Sequence, residues 1–309
     1  MDETPTFAGC PVPEATLAAW KRHWSPPSQP FFISDALARR LPPWPRFTRK
    51  EFQQSGVPLS LHDTFATYDV TGTPRVAWLT YRAFYSLGGR ERLELLTEQR
   101  GFGRGGVVHL GDVADQLDTT RLSALTADGL FVWWPQLWNL LHASEQNRVL
   151  QTFVETDRLF CRRGELSSED WRRVASSLPG ARELAGSFLP ESGGNCLATV
   201  IAAFGAPAIA ECWVHPEPFE RWLEQFSLSD SAQMTRAPAL GQVLVWRDEN
   251  VRVQHAAVSL GKDFVLHKEA QGWYAPRQVS RLDETLARWQ DDGKVSVYES
   301  VTSRKPPNS

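Results

Sequence analysis

The chain has 309 residues, 42% of them hydrophobic, which supports one large or two ordinary domains and excludes a single small one. Its 33 Lys and Arg against 36 Asp and Glu give a formal net charge of −3, so there is no basic footprint for a nucleic-acid backbone or an anionic membrane surface. The start, Met1-Asp-Glu-Thr-Pro-Thr-Phe, lacks the cationic and apolar regions of a secretory signal, and no apolar run nears the roughly 18 residues of a membrane span, so the chain is expected to be soluble and cytoplasmic.

In chain order, residues 1–30 are rich in proline, and Pro26-Pro27-Ser28-Gln29-Pro30 reads as a surface arm. Residues 31–187 read as a mainly helical region of unassigned role, with helices at 79–84, 90–99, 130–141 and 145–160. Ser167-Ser168-Glu169-Asp170 is an N-cap signature for a helix over 171–178, which Pro179-Gly180 ends. From Gly193 the pattern changes, and residues 188–300 read as a second domain. There a helix follows Cys196, and another spans 217–226 with Phe219, Trp222, Leu223 and Phe226 on one face and Pro216 in its first turn. Strands are expected at 239–247, 252–260, 264–268 and 295–298, which makes the fold class α+β, helix first and antiparallel sheet afterwards. Residues 301–309 form a polar, proline-bearing tail expected to be disordered.

Four cysteines, Cys10, Cys161, Cys196 and Cys212, lie at irregular spacings without a C-x-x-C pair, so neither a zinc knuckle nor a thioredoxin-like site is indicated and free thiols are expected. Cys196 stands between the breaker run Gly193-Gly194-Asn195 and the apolar stretch from Leu197 to Phe204. That places its thiol on the first turn of a helix, where unpaired N–H groups favour a thiolate. His255 and His267 lie downstream in strand-like sequence. A three-residue loop Gly261-Lys262-Asp263 pairs Leu260 with Phe264 and Ala257 with His267, which makes the two imidazoles diagonal neighbours roughly 7–8 Å apart on one face. A two-residue loop would turn His267 away.

Other motifs carry less chemistry. Gly101-Phe102-Gly103-Arg104-Gly105-Gly106 has G-x-G-x-x-G spacing but precedes a strand-like stretch, so it reads as a turn. His109, Asp112 and Asp115 read as a capped loop rather than a metal site, and Cys212 with His215 as a minor competing pair. The 13 tryptophans are expected mainly in core and interface area.

Roughly residues 188 to 285 resemble the NlpC/P60-like branch of the papain-like cysteine hydrolases. The stretches that carry the resemblance are Asn195-Cys196-Leu-Ala, Gly241-Gln-Val-Leu-Val-Trp246, His255-Ala-Ala-Val-Ser-Leu-Gly261 and His267, with 59 positions between the thiol and the first histidine. Asn195 and Gln242 stand where the family commonly has Asp. The resemblance implies a papain-like domain in which Cys196 attacks an acyl carbon, His255 takes and returns the proton, and His267 accepts a hydrogen bond that orients His255. It implies a peptide or other acyl or amide substrate and neither metal nor organic cofactor. Trp273 and Tyr274 either line a substrate pocket or pack under the sheet. Hydrolysis and acyl transfer share the same dyad. The readings from other classes are an inert papain-like adaptor whose N-terminal region binds a partner protein, and an effector acting on a host protein.

Overall fold

A computed structural model of the protein describes residues 4–72, 74–228 and 237–300. Its contacts divide the chain into one unit of Met1–Thr16 with Val154–Ser309 and another of Leu17–Phe153, boundaries that differ from those expected at 30 and 187. The expected arm is replaced by ordered elements: Thr6–Phe7 pairs with Cys10–Pro11, a helix spans Glu14–Trp24, and Ser28–Ile33 is a strand. Pro30 is tolerated because that strand lies at a sheet edge, where a missing N–H breaks no ladder bond on the open side. The tail at 301–309 lies outside the described residues.

The Leu17–Phe153 unit is less helical than its sequence suggests. Arg75–Thr80 is the central strand of a three-stranded sheet, and only at Tyr81–Tyr85 does a helix follow, capped by Thr80. The expected helix at 130–141 is a strand, Leu130–Val132, followed by a short helix, Pro135–Trp138. Pro135 decides this, since it forces Trp134 into an extended conformation and can only begin a helix. The G-x-G-x-x-G run is a turn between the helix Gly89–Gly101 and the strand Val107–His109.

The other unit is built on a six-stranded, wholly antiparallel sheet. Its strands are β1 (Phe226–Leu228), β2 (Val243–Arg247), β3 (Val253–Gly261), β4 (Phe264–Lys268), β5 (Arg277–Arg281) and β6 (Lys294–Ser300), in the order β5-β4-β3-β2-β6-β1. Helices α1 (Ser168–Ser177), α2 (Cys196–Ala203), α3 (Pro216–Leu223) and α4 (Leu282–Arg288) surround it. The expected cap of α1 is present as a reciprocal Ser167/Asp170 capping box.

Strand alternation sorts the apolar side chains into two layers. Val243, Val245, Ala256, Val258, Leu266 and Val279 join every residue of α2 except Thr199 in the main core. Leu244, Trp246, Ala257 and Val265 turn the other way and pack with Leu282 of α4. All eight residues of α2 are buried, which explains why its sequence is apolar apart from Thr199, whose hydroxyl donates to the Asn195 carbonyl (2.9 Å).

The β3–β4 hairpin has a two-residue turn, with Lys262 and Asp263 at φ 53° and 64° and Gly261 opposite Phe264. That turn alone would slip the register by one residue. An irregularity between Ser259 and Gly261 absorbs the extra residue, so Ser259 faces Val265 and Val258 faces Leu266. The face expected for His267 is therefore kept by a bulge rather than by a longer loop.

Candidate active site

The segment entering α2 is threaded where only glycine fits. A Cβ at Gly194 would lie 1.9 Å from the Ala210 carbonyl oxygen, and one at Gly193 would lie 2.3 Å from that of Glu211. The Gly193 N–H donates to the Gln271 carbonyl (3.0 Å), and the Trp273 N–H donates to Ser192 Oγ (3.1 Å). Asn195 caps the helix, its Oδ1 accepting from the Ala198 N–H (3.1 Å) while its Nδ2 donates to the Val214 carbonyl (2.8 Å). Cys196 thus occupies the first helical position, as expected. Burial pushes its thiol up to about 11; the Ala256 and Leu197 N–H groups and the Lys268 charge favour the thiolate but do not outweigh burial.

His255 lies on β3 opposite Trp246, and His267 lies on β4 opposite Gln278. Both are fully buried. His255 Nε2 and His267 Nδ1 are 3.2 Å apart, and His267 Nε2 is 3.0 Å from Ser280 Oγ and 3.4 Å from the Gln278 amide nitrogen. The His255 ring stacks on Trp289, with centroids 3.8 Å apart at 7°, and meets Trp246 edge-on. Burial holds His255 well below the usual imidazole range, with the neighbouring His267 adding to the effect, and burial holds His267 down to about 3. Two neutral rings in a row fix the sense of the chain only jointly. If His255 Nε2–H donates to His267 Nδ1, then His267 Nε2–H donates to Ser280 Oγ and the bare nitrogen is His255 Nδ1. That Nδ1 is buried and has no hydrogen-bond partner.

The structure brings the two histidines together but does not join Cys196 to them: no hydrogen bond connects the thiol to either ring. Alternation along β3 is the reason. Ala256 and Val258 project with Cys196 into the main core, whereas His255, paired with Trp246, projects to the α4 side. The thiol and the imidazole flank the same stretch of strand from its two faces, and the Ala256 N–H next to His255 is the thiol's neighbour. The thiol–imidazole pair that the resemblance implies is therefore not formed: sulfur and ring are buried on opposite faces of β3, with Cys196 only 8% exposed.

Trp273 is fully buried and Tyr274 packs against it edge-on at 5.5 Å, with the Arg158 guanidinium 4.7 Å from the centre of the Tyr274 ring. Packing accounts for Trp273. Sequence reasoning passed over four residues that shape the site: Gln278 and Ser280 behind His267, Trp289 over His255, and the fully buried Lys268. Lys268 shares the α2 side with Leu266, and its Nζ donates to the Ala270 carbonyl and, at 2.8 Å, to that of Gly272. It therefore braces the turn that holds Gly193. The only available signal for Gln278 and Ser280 was their two-residue spacing, hidden because β5 has a polar sequence despite complete burial of residues 277–280.

The lesser motifs stay apart. His109 and Asp112 form a reciprocal cap on the turn at Leu110–Val113. Cys212 donates to the Ala208 carbonyl (3.6 Å), and His215 lies against Trp213. Among the described residues, no group of three His, Cys, Asp or Glu side chains is disposed to hold a metal ion. Comparison with family models, with curated proteins and with solved structures finds no match to this chain.

Proposed function

We propose that residues 188–300 form a cysteine-dependent hydrolase of the amidase or peptidase type, with Cys196 as nucleophile and His255 as general base, held in a closed resting state. The observation that carries this reading is the unpartnered, buried Nδ1 of His255 at the end of an ordered His255–His267–Ser280 chain. Leaving a buried ring nitrogen unpaired costs about 1–3 kcal/mol, which a proton taken from a thiol or substrate would recover. With thiol and imidazole both neutral at rest, the reaction starts by general-base deprotonation rather than from a preformed ion pair. The carbonyl oxygen of the substrate would be met by the N–H groups at the start of α2. Water as the second nucleophile completes hydrolysis, and an amine or alcohol completes acyl transfer. Because Cys196 and His255 lie on opposite faces of an interior strand, the dyad requires β3 to shift its register by one residue, which turns His255 to the α2 side.

A second reading, an inert papain-like adaptor, is favoured by the burial of Cys196 and its raised thiol. Labelling the intact chain with a panel of acyl electrophiles separates the two. The hydrolase reading requires stoichiometric labelling that is lost in Cys196→Ala and falls at least about tenfold in His255→Gln, within the range of general-base effects. Equal labelling of wild type and His255→Gln, or none at Cys196 across the panel, refutes it and leaves the adaptor.

A further inference from the structure

The Thr6–Phe7/Cys10–Pro11 hairpin and the segment around Cys161 meet within one unit, away from Cys196 in the chain. The Cys161 N–H donates to the Ala8 carbonyl (2.9 Å), and a Cβ at Gly9 would lie 3.6 Å from the Cys161 Cβ. Cys10 is the next residue, fully buried, and its thiol donates to the same Ala8 carbonyl (3.8 Å) that accepts from the Cys161 N–H, so one acceptor holds the two cysteines beside each other. On its other side the Cys161 sulfur accepts from the Val279 N–H (3.5 Å), while the Arg162 N–H donates to the Val279 carbonyl (2.7 Å), so the segment lines the outer edge of β5. Both sulfurs are free, and Cys161 is half-buried where Cys10 is closed off.

We propose that Cys10 and Cys161 form a dithiol modification site that reacts with peroxides and closes to a disulfide, Cys161 being the sulfur attacked and Cys10 the resolving thiol. The division of roles follows from access and charge. Cys161 is the one that solvent reaches, and the neighbouring Cys10 thiol, then the Val279 and Arg163 N–H groups, hold its thiol below the ordinary range, while Cys10 is closed off. The Cys161 thiolate attacks one peroxide oxygen, forming an S–O bond and breaking O–O, and hydroxide leaves. The Cys10 sulfur then attacks the Cys161 sulfenic acid, forming S–S and breaking S–O; the Cys10 proton and the departing hydroxyl leave together as water. Hydrogen peroxide is the two-electron oxidant, and the two thiols are oxidised. Neither step needs Cys196, so this site stands apart from the proposed hydrolase.

The test is titration of the full chain with hydrogen peroxide, followed by non-reducing peptide mass spectrometry and dimedone trapping. The expected result is a Cys10–Cys161 linked peptide pair with a loss of about 2 Da, reversed by dithiothreitol. In Cys10→Ser the pair cannot form, and dimedone captures a persistent sulfenic acid at Cys161. Because the linked peptide is read in the unmodified chain, a variant that misfolds does not remove the test. Cross-links that instead involve Cys196 or Cys212, or overoxidation of Cys161 with no link to Cys10, would overturn the proposal.

Discussion

The thiol of Cys196 offers the sharpest quantitative expectation. Its burial raises it to about 11. At pH 7.5 such a thiol is about 0.03% ionised, against about 9% for an ordinary thiol near 8.5, a deficit of a few hundred-fold, or on the order of 3 kcal/mol. A more basic thiolate is intrinsically more nucleophilic by about tenfold over that interval, which leaves the native chain about 20- to 30-fold slower toward iodoacetamide than the same cysteine in the unfolded chain. Closure around a residue that is 8% exposed lowers the rate further. The assay is a time course of Cys196 alkylation by mass spectrometry from pH 6 to 11, in buffer and in guanidinium chloride. Since the folded value lies above the unfolded one, stability from the neutral thiol is present below about 8.5 and is lost as pH rises through about 11. A native rate equal to or faster than the unfolded rate at pH 7.5 would show that the helix N-terminus and Lys268 outweigh burial, and the reasoning would fail.

His267 works in the opposite sense: its folded value of about 3 lies below the ordinary 6.5, so the unfolded state binds more protons and stability falls as pH drops from 6.5 toward 3. At pH 4.5 the loss from this group is on the order of 3 kcal/mol, and chemical denaturation of His267→Gln should give a flatter profile over that window. Gly194→Ala should destabilise by about 3 kcal/mol or more, because its Cβ meets a backbone carbonyl that cannot swing aside. Gly164→Ala, where nothing lies within 4 Å, should stay within about 0.5 kcal/mol in the same thermal melts. Lys268→Met should leave the carbonyls of Ala270 and Gly272 without their donor and move Cys196 alkylation to still higher pH; an unchanged pH profile would remove Lys268 from the thiol's electrostatics.

Local signals were legible wherever one residue or a strict period dictates the conformation. Ser167 and Asp170 announce their capping box, Gly193-Gly194-Asn195 announces the start of α2, and β4 falls at Phe264–Lys268 as its alternation indicates. Apolar aromatic runs suit a buried helix and a buried strand equally, and proline decides between them. Residues 130–141 are as apolar as a buried helix, but Pro135 divides them, and Pro30 reads as a breaker until an open sheet edge accommodates it. β5 escaped notice because Arg277, Gln278 and Ser280 are polar residues buried through their hydrogen bonds.

The sequence by itself determined that Cys196 begins an apolar helix and that His255 and His267 share a strand face, because capping and two-residue alternation act over a few neighbouring residues. Tertiary structure alone decided which face that is. The choice between the α2 and α4 sides depends on which apolar side chains of β3 the two layers bury, and Ala256 and Val258 go to α2. Burial on both sides then sets the charge states of all three groups, because the cost of an uncompensated charge depends on the whole surrounding shell and not on the residues next to it in the chain.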